Sequence, residues 1–151
     1  MIMLRPTPRQ DALERTYWNY VARQELRLQC CTDCNRYRYP PAPACPDCGE
    51  TDAEWRPLSG KGHVVAWTIF HRSYFPNLPT PYAVVSVQTD EGPLLVGNLI
   101  GASPSIGLPV QVLFEETRFD DGTTGSICQW KPLAPFHSSS TEHRNEPQSN
   151  L

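Results

Sequence analysis

Apolar residues recur at helical spacing in one stretch near the start of the chain. Leu13, Tyr17 and Val21 fall at i, i+4 and i+8, which predicts a helix over Arg9–Gln24. Trp18 and Tyr20 lie outside that stripe, so the helix is more apolar than a solvated helix needs. Two readings stay open: the helix packs on its own chain, or Tyr17, Trp18 and Val21 meet a partner or line a ligand groove. Before it, Pro6 and Pro8 keep residues 1–8 extended. Beyond it the pattern changes to short alternating runs. Glu25–Cys30 reads as a strand, Arg36–Ala44 as a second one ending in a proline turn, and Ala53–Pro57 as a third.

After Leu58-Ser-Gly-Lys-Gly62, read as a linker, five more strand-like runs follow. They are His63–His71, Tyr82–Thr89, Leu94–Ile100, Val110–Phe119 and Gly125–Lys131. In the second, Ala83, Val85 and Val87 point one way and Ser86 and Gln88 the other. In the fourth, Val110, Val112 and Phe114 share a face. Turn residues separate the runs. Five short strands with no room for a second layer predict a small closed barrel, best matched by the five-stranded OB-fold. The expected organisation is a helix plus ribbon over residues 9–59, a barrel over 60–136, and a polar, aperiodic tail over 137–151 that reads as disordered.

The candidate chemistry sits between helix and barrel. Cys31-Thr-Asp-Cys34 and Cys45-Pro-Asp-Cys48 place four thiolates in two Cys-x-x-Cys pairs separated by ten residues. Four thiolates complete a tetrahedral shell and leave no open position, the donor set of a structural zinc ion. Such a turn tends to need positive φ after its second cysteine, which Gly49 and Asn35 tolerate. A rubredoxin-type iron centre uses similar knuckles and is the alternative metal. Disulfides would need an oxidising compartment, and no secretory signal is visible in Met1-Ile2-Met3-Leu4-Arg5-Pro6. Cys30 falls out of the symmetric spacing and reads as packed, as does Cys128 in mid-strand.

Composition narrows the partners. No apolar run approaches a membrane span, so a cytoplasmic protein is expected. Net charge is −3. Residues 1–40 carry seven arginines against four acids, while residues 41–151 carry six basic against twelve acidic groups. The acidic barrel argues against a general nucleic-acid binder, although zinc ribbons and OB-folds both serve that role, and it stands as the alternative function.

The order helix, four-cysteine ribbon, glycine linker and barrel resembles a known family. The matching residues are Tyr17-Trp18, Leu28-x-Cys30-Cys31-x-x-Cys34, Tyr39-Pro40-Pro41, Cys45-Pro46-x-Cys48-Gly49, Trp55, Gly60-x-Gly62 and Pro81-Tyr82. The chain is similar over residues 10–136 to the stand-alone zinc-ribbon/OB-fold proteins known as domain of unknown function thirty-five, which are associated with acyl-CoA metabolism. It departs from them at Asn35, where glycine is usual, and at Gln24-Glu25, where a glycine is common at the helix end. The resemblance implies a mainly β fold: N-terminal helix, rubredoxin-like zinc ribbon, OB-fold barrel. It also implies a non-catalytic subunit in a hetero-oligomer with a thiolase-fold enzyme. Relatives partner thiolases, steroid side-chain aldolases and acyltransferases. There the barrel and ribbon shape an acyl-CoA channel at the shared interface while the partner supplies catalysis.

The residues themselves show no nucleophile–base order, no phosphate-cradling glycine loop and no paired acids with a role, Asp120-Asp121 before Gly122 reading as a turn, so no catalytic residue is assigned. For ligand binding the candidates are His71, Arg72, Tyr74, Phe75 and Tyr82, in and beside the loop joining the first two barrel strands. The aromatics there can stack on a base or pack on an acyl chain, and Arg72 can meet a phosphate.

Overall fold

The structure, a computed structural model, describes residues 4–75 and 78–134. The tail read as disordered lies outside the described residues. One helix, α1 (Ala12–Ala22), follows a short strand β1 (Leu4–Arg5). It starts later than the periodicity suggests because Asp11 caps it: its side chain accepts from the N–H groups of Leu13 and Glu14. It ends where Gln24 takes φ 60 and its N–H donates to the Val21 carbonyl at 2.9 Å.

The ribbon is a three-stranded sheet of β2 (Arg27–Cys31), β3 (Tyr37–Arg38) and β4 (Ala53–Pro57), ordered β3-β2-β4. The long run expected over Arg36–Ala44 pairs only through β3. Beyond Tyr39 the prolines remove ladder donors, and the chain leaves the sheet.

Five strands form the barrel: β5 (Lys61–Phe70), β6 (Tyr82–Thr89), β7 (Leu94–Leu99), β8 (Pro109–Phe119) and β9 (Thr124–Pro132). Their order β8-β5-β6-β7-β9 closes through the β8–β9 pairing. The closing contact between β7 and β9 is parallel, at Leu99 and Trp130. β5 pairs with β8 only over Lys61, Gly62 and His63, so from Val65 to Phe70 that edge of β5 has no partner strand among the described residues. The stretch read as a linker is part of this closure. Gly62 is paired in β5, and a side chain there would collide with the Gln88 carbonyl, so only glycine lets β5 and β6 approach. β1, read only as an extended arm, adds in parallel to the far end of β8.

One core runs through all these parts. Val64, Val85, Val87, Leu95, Leu99, Val110 and Trp130 of the barrel join Tyr17, Val21, Leu26 and Leu28. Each fully buried aliphatic contributes about 1.5–3 kcal/mol. The helix face that the sequence left open to a partner is therefore occupied at home. Tyr17 is 5% exposed and Val21 0%, while Trp18 is half-buried against the same cluster. For Tyr17 and Val21 this corrects the partner assignment, because a buried side chain offers a second chain no surface.

Candidate functional site

Two tight turns build the metal centre, and they match each other bond for bond. In the first, Asn35 N–H donates to the Cys31 carbonyl at 3.1 Å and Cys31 N–H to the Arg36 carbonyl at 2.9 Å. In the second, Gly49 N–H donates to Cys45 at 2.9 Å and Cys45 N–H to Glu50 at 2.8 Å. Each turn needs a left-handed residue after its second cysteine, Asn35 at φ 58 and Gly49 at φ 81.

The four sulfurs lie within 4.8 Å of one another, with Cys31–Cys48 and Cys34–Cys45 each at 3.6 Å. A tetrahedral ion with bonds of about 2.3 Å needs sulfurs about 3.8 Å apart, so Cys31, Cys34, Cys45 and Cys48 fit zinc. Backbone N–H groups lower one thiol of each pair, Cys31 and Cys45. That of Cys34 is the main cause bringing the Cys31 thiol down to about 6, and that of Cys48 brings Cys45 below its ordinary value. The shell is complete, so the zinc is structural. Cys30 is buried and outside it, with its thiol against the Asn35 carbonyl at 3.4 Å. Cys128 packs near the core, with Tyr17 Oη 3.8 Å from its sulfur, and burial pushes its thiol up to about 11.

The second feature is a cavity of about 680 Å³ at one end of the barrel. It lies where β5 ends, β6 begins and the segment after β7 turns away. Ile69, Leu78, Pro81, Leu99, Ile100 and Leu113 supply apolar walls. Arg5, Asn98 and Glu115 supply the polar part. Arg5 donates from Nη1 to Asn98 Oδ1 at 3.3 Å and pairs through Nη2 with Glu115 at 3.5 Å. Buried Gln129 ties these together, donating to Asn98 Oδ1 at 3.1 Å and to Glu115 at 3.2 Å. Apolar walls with a few fixed polar groups are the makeup of a small-molecule site.

Of the loop candidates, Tyr82 alone lines this cavity. His71, Arg72, Tyr74 and Phe75 are exposed and outside it. Tyr74 instead meets Phe70 in a T-shaped contact, with centroids 5.9 Å apart. Arg5 was missed because nothing in a proline-flanked arm announces that β1 folds back onto β8.

Profile comparison agrees with the two parts. The family described as "ChsH2, rubredoxin-like zinc ribbon domain" matches residues 18–54, and "ChsH2, C-terminal OB-fold domain" matches residues 55–115. Over 111 residues, 71% of its length, the chain is 37% identical to a probable enoyl-CoA hydratase alpha subunit of Thermomonospora curvata. Over 133 residues, 86% of its length, it is 30% identical to the 3-oxo-4,17-pregnadiene-20-carboxyl-CoA hydratase alpha subunit of Mycobacterium tuberculosis. The chain spans only 34% and 40% of those two proteins. A DUF35 domain-containing scaffold protein of Pyrococcus furiosus is 31% identical over 117 residues, 70% of this chain and 81% of that protein. Among solved structures, a chain of the Ltp2-ChsH2(DUF35) aldolase superposes with a TM-score of 0.73 at 30% identity, covering 83% of this chain and 98% of that one. By sequence, fold and metal-ligand set, this chain belongs to the DUF35 family, with the ribbon and barrel of its ChsH2 members.

Proposed function

We propose that this protein is a non-catalytic accessory subunit that docks on a thiolase-fold enzyme and helps form its acyl-CoA channel in the cytoplasm. The observation that carries the reading is the joint occurrence of a mainly apolar cavity and an exposed, almost uncharged face of β5–β7 beside it. From β5 through β7 the only strand residue with a full charge is Lys61. On these strands Trp67 is 47% exposed, Leu94 50% and Val96 60%, with Ile100 at 41% on the cavity wall. Trp67 lies two residues before Ile69 on the same side of β5, and Ile69 lines the cavity. A large exposed tryptophan beside uncharged strands is the usual anchor of a protein interface.

The relatives support the same role. Two are alpha subunits of CoA-thioester hydratases, one is a scaffold protein, and the structural neighbour is a chain of a two-component aldolase. In this reading the partner covers Trp67 and Ile100, and an acyl group lies along the cavity between the two chains. Zinc supplies rigidity to the ribbon and takes no part in chemistry.

The test is affinity purification of the tagged chain from its native host, with Trp67→Glu in parallel. Recovery of a thiolase-fold enzyme by the wild type, and its loss with Trp67→Glu, is the expected result. Equal recovery by both variants removes Trp67 from the interface. Recovery of nucleic acid in place of an enzyme overturns the proposal.

A further inference from the structure

We propose that Arg38 is a positioning residue of the metal centre, a single buried cation that joins the two knuckles and sets how firmly they hold zinc. Arg38 is 1% exposed, and no carboxylate among the described residues pairs with it. Its two Nη nitrogens are spent on backbone carbonyls, while buried Nε has no hydrogen-bond partner among the described residues. Nη1 donates to Ala42 at 3.3 Å and Thr51 at 3.2 Å, and Nη2 to Glu50 at 2.7 Å and Asp52 at 3.1 Å. These four carbonyls flank Cys45-Pro-Asp-Cys48 on both sides, so Arg38 closes the loop that presents the second pair of thiolates.

One of these carbonyls also bonds a ligand residue, and another bonds the residue beside one. Glu50 accepts at the same oxygen from the N–H of Cys45, at 2.8 Å. Asp52 accepts from the N–H of Thr32, the residue after Cys31, at 3.3 Å. Arg38 thus shares one acceptor with each knuckle. The strand neighbour of Arg38 completes the clamp. Gln29 stands opposite it in the β2–β3 register and accepts from the Ala42 N–H at 2.9 Å, so both backbone groups of Ala42 are held by this pair.

Charge points the same way. Zinc on four thiolates is a dianion, and a buried guanidinium on the same small ribbon offsets part of it. A fixed planar fork that fills four carbonyls at once is a task for arginine and not for lysine.

The experiment uses the zinc-loaded full chain and follows zinc transfer to the chromophoric chelator pyridylazoresorcinol, well below the unfolding temperature. The cobalt-substituted protein gives a second readout through its thiolate-to-metal charge-transfer band. Arg38→Met is expected to release zinc on the order of ten- to a hundredfold faster and to shift or weaken the cobalt band. Arg38→Lys should fall between it and the wild type. Arg56→Met, which removes a half-exposed cation from the same sheet, should release zinc at the wild-type rate. Release from Arg38→Met within about twofold of wild type, with an unshifted cobalt band, overturns the proposal and leaves Arg38 a packing residue. Should Arg38→Met fail to fold, Arg38→Lys decides alone. Faster release supports the role, and wild-type release with an unshifted band overturns it.

Discussion

Tyr82 lies flat on Phe70, with ring centroids 5.1 Å apart and planes 4° from parallel. The two are register partners across β5 and β6, so the stack locks the strand ends that shape the cavity. Phe70 also makes a T-shaped contact with Tyr74, which makes it the centre of a three-ring cluster. Phe70→Ala should cost about 2 kcal/mol, from lost burial of a partly buried ring and the loss of its aromatic pairing. A urea unfolding series checks this. An unchanged midpoint would mean that the cluster contributes nothing to the barrel end.

The end of the helix offers a gain in stability. Gln24 sits at φ 60, where a Cβ is strained, and it is exposed. Gln24→Gly should raise stability by about 0.5–1 kcal/mol, because the relief of strain exceeds the added entropy of the unfolded chain. Gln24→Ala should give no such gain. Paired thermal melts of the two variants make the comparison.

Metal removal should act on the ribbon first. Cys45 is a buried member of the ligand set, and losing it leaves three thiolates around an ion that needs four donors. The wild type should carry about one zinc per chain by mass spectrometry under native conditions, and Cys45→Ser little or none. Hydrogen exchange should then rise across β2, β3 and the knuckles before it rises in β8 and β9. Full zinc retention by Cys45→Ser would contradict the ligand assignment.

Acid should release the N-terminal arm. Asp120 accepts from both the N–H and the hydroxyl of Thr7, at 3.0 and 2.5 Å, and the hydroxyl bond is the larger cause holding its carboxyl below the ordinary value. A depressed carboxyl contributes stability that is fully present above the unfolded pKa near 3.9 and is lost as pH falls through the lower folded value. The stability difference between wild type and Asp120→Ala should therefore hold steady from neutral pH to about 5 and shrink below about 4. Denaturant midpoints at stepped pH measure it, and a difference that grew in acid would have the wrong sign.

The parts legible in the sequence are those fixed by local spacing. Cys31 to Cys48 announce a ligand set because a knuckle is built from neighbours along the chain. Tyr82–Thr89 announces a strand because its alternation is clean. The family resemblance rested on the same cysteines together with Tyr17-Trp18, Tyr39-Pro40-Pro41, Trp55, Gly60-x-Gly62 and Pro81-Tyr82, and pointed to the matched family. What stayed illegible depends on distant partners. Arg38, in Arg36-Tyr-Arg-Tyr, looks like any solvated arginine until Ala42, Glu50, Thr51 and Asp52 turn their carbonyls toward it. Arg5 becomes part of the cavity only because β1 pairs with residues 118 and 119. Tyr17 and Val21 carry an apolar stripe that suits a partner as well as a core, and only the fold shows that the core has taken it.

The most direct test of the accessory-subunit account is acyl-CoA turnover by the recovered thiolase-fold enzyme, measured alone, with this chain, and with Ala83→Trp, which places an indole in the cavity wall. The account predicts that this chain raises turnover at least about tenfold and that Ala83→Trp binds the enzyme but loses most of that gain. Equal turnover with and without the chain would contradict it.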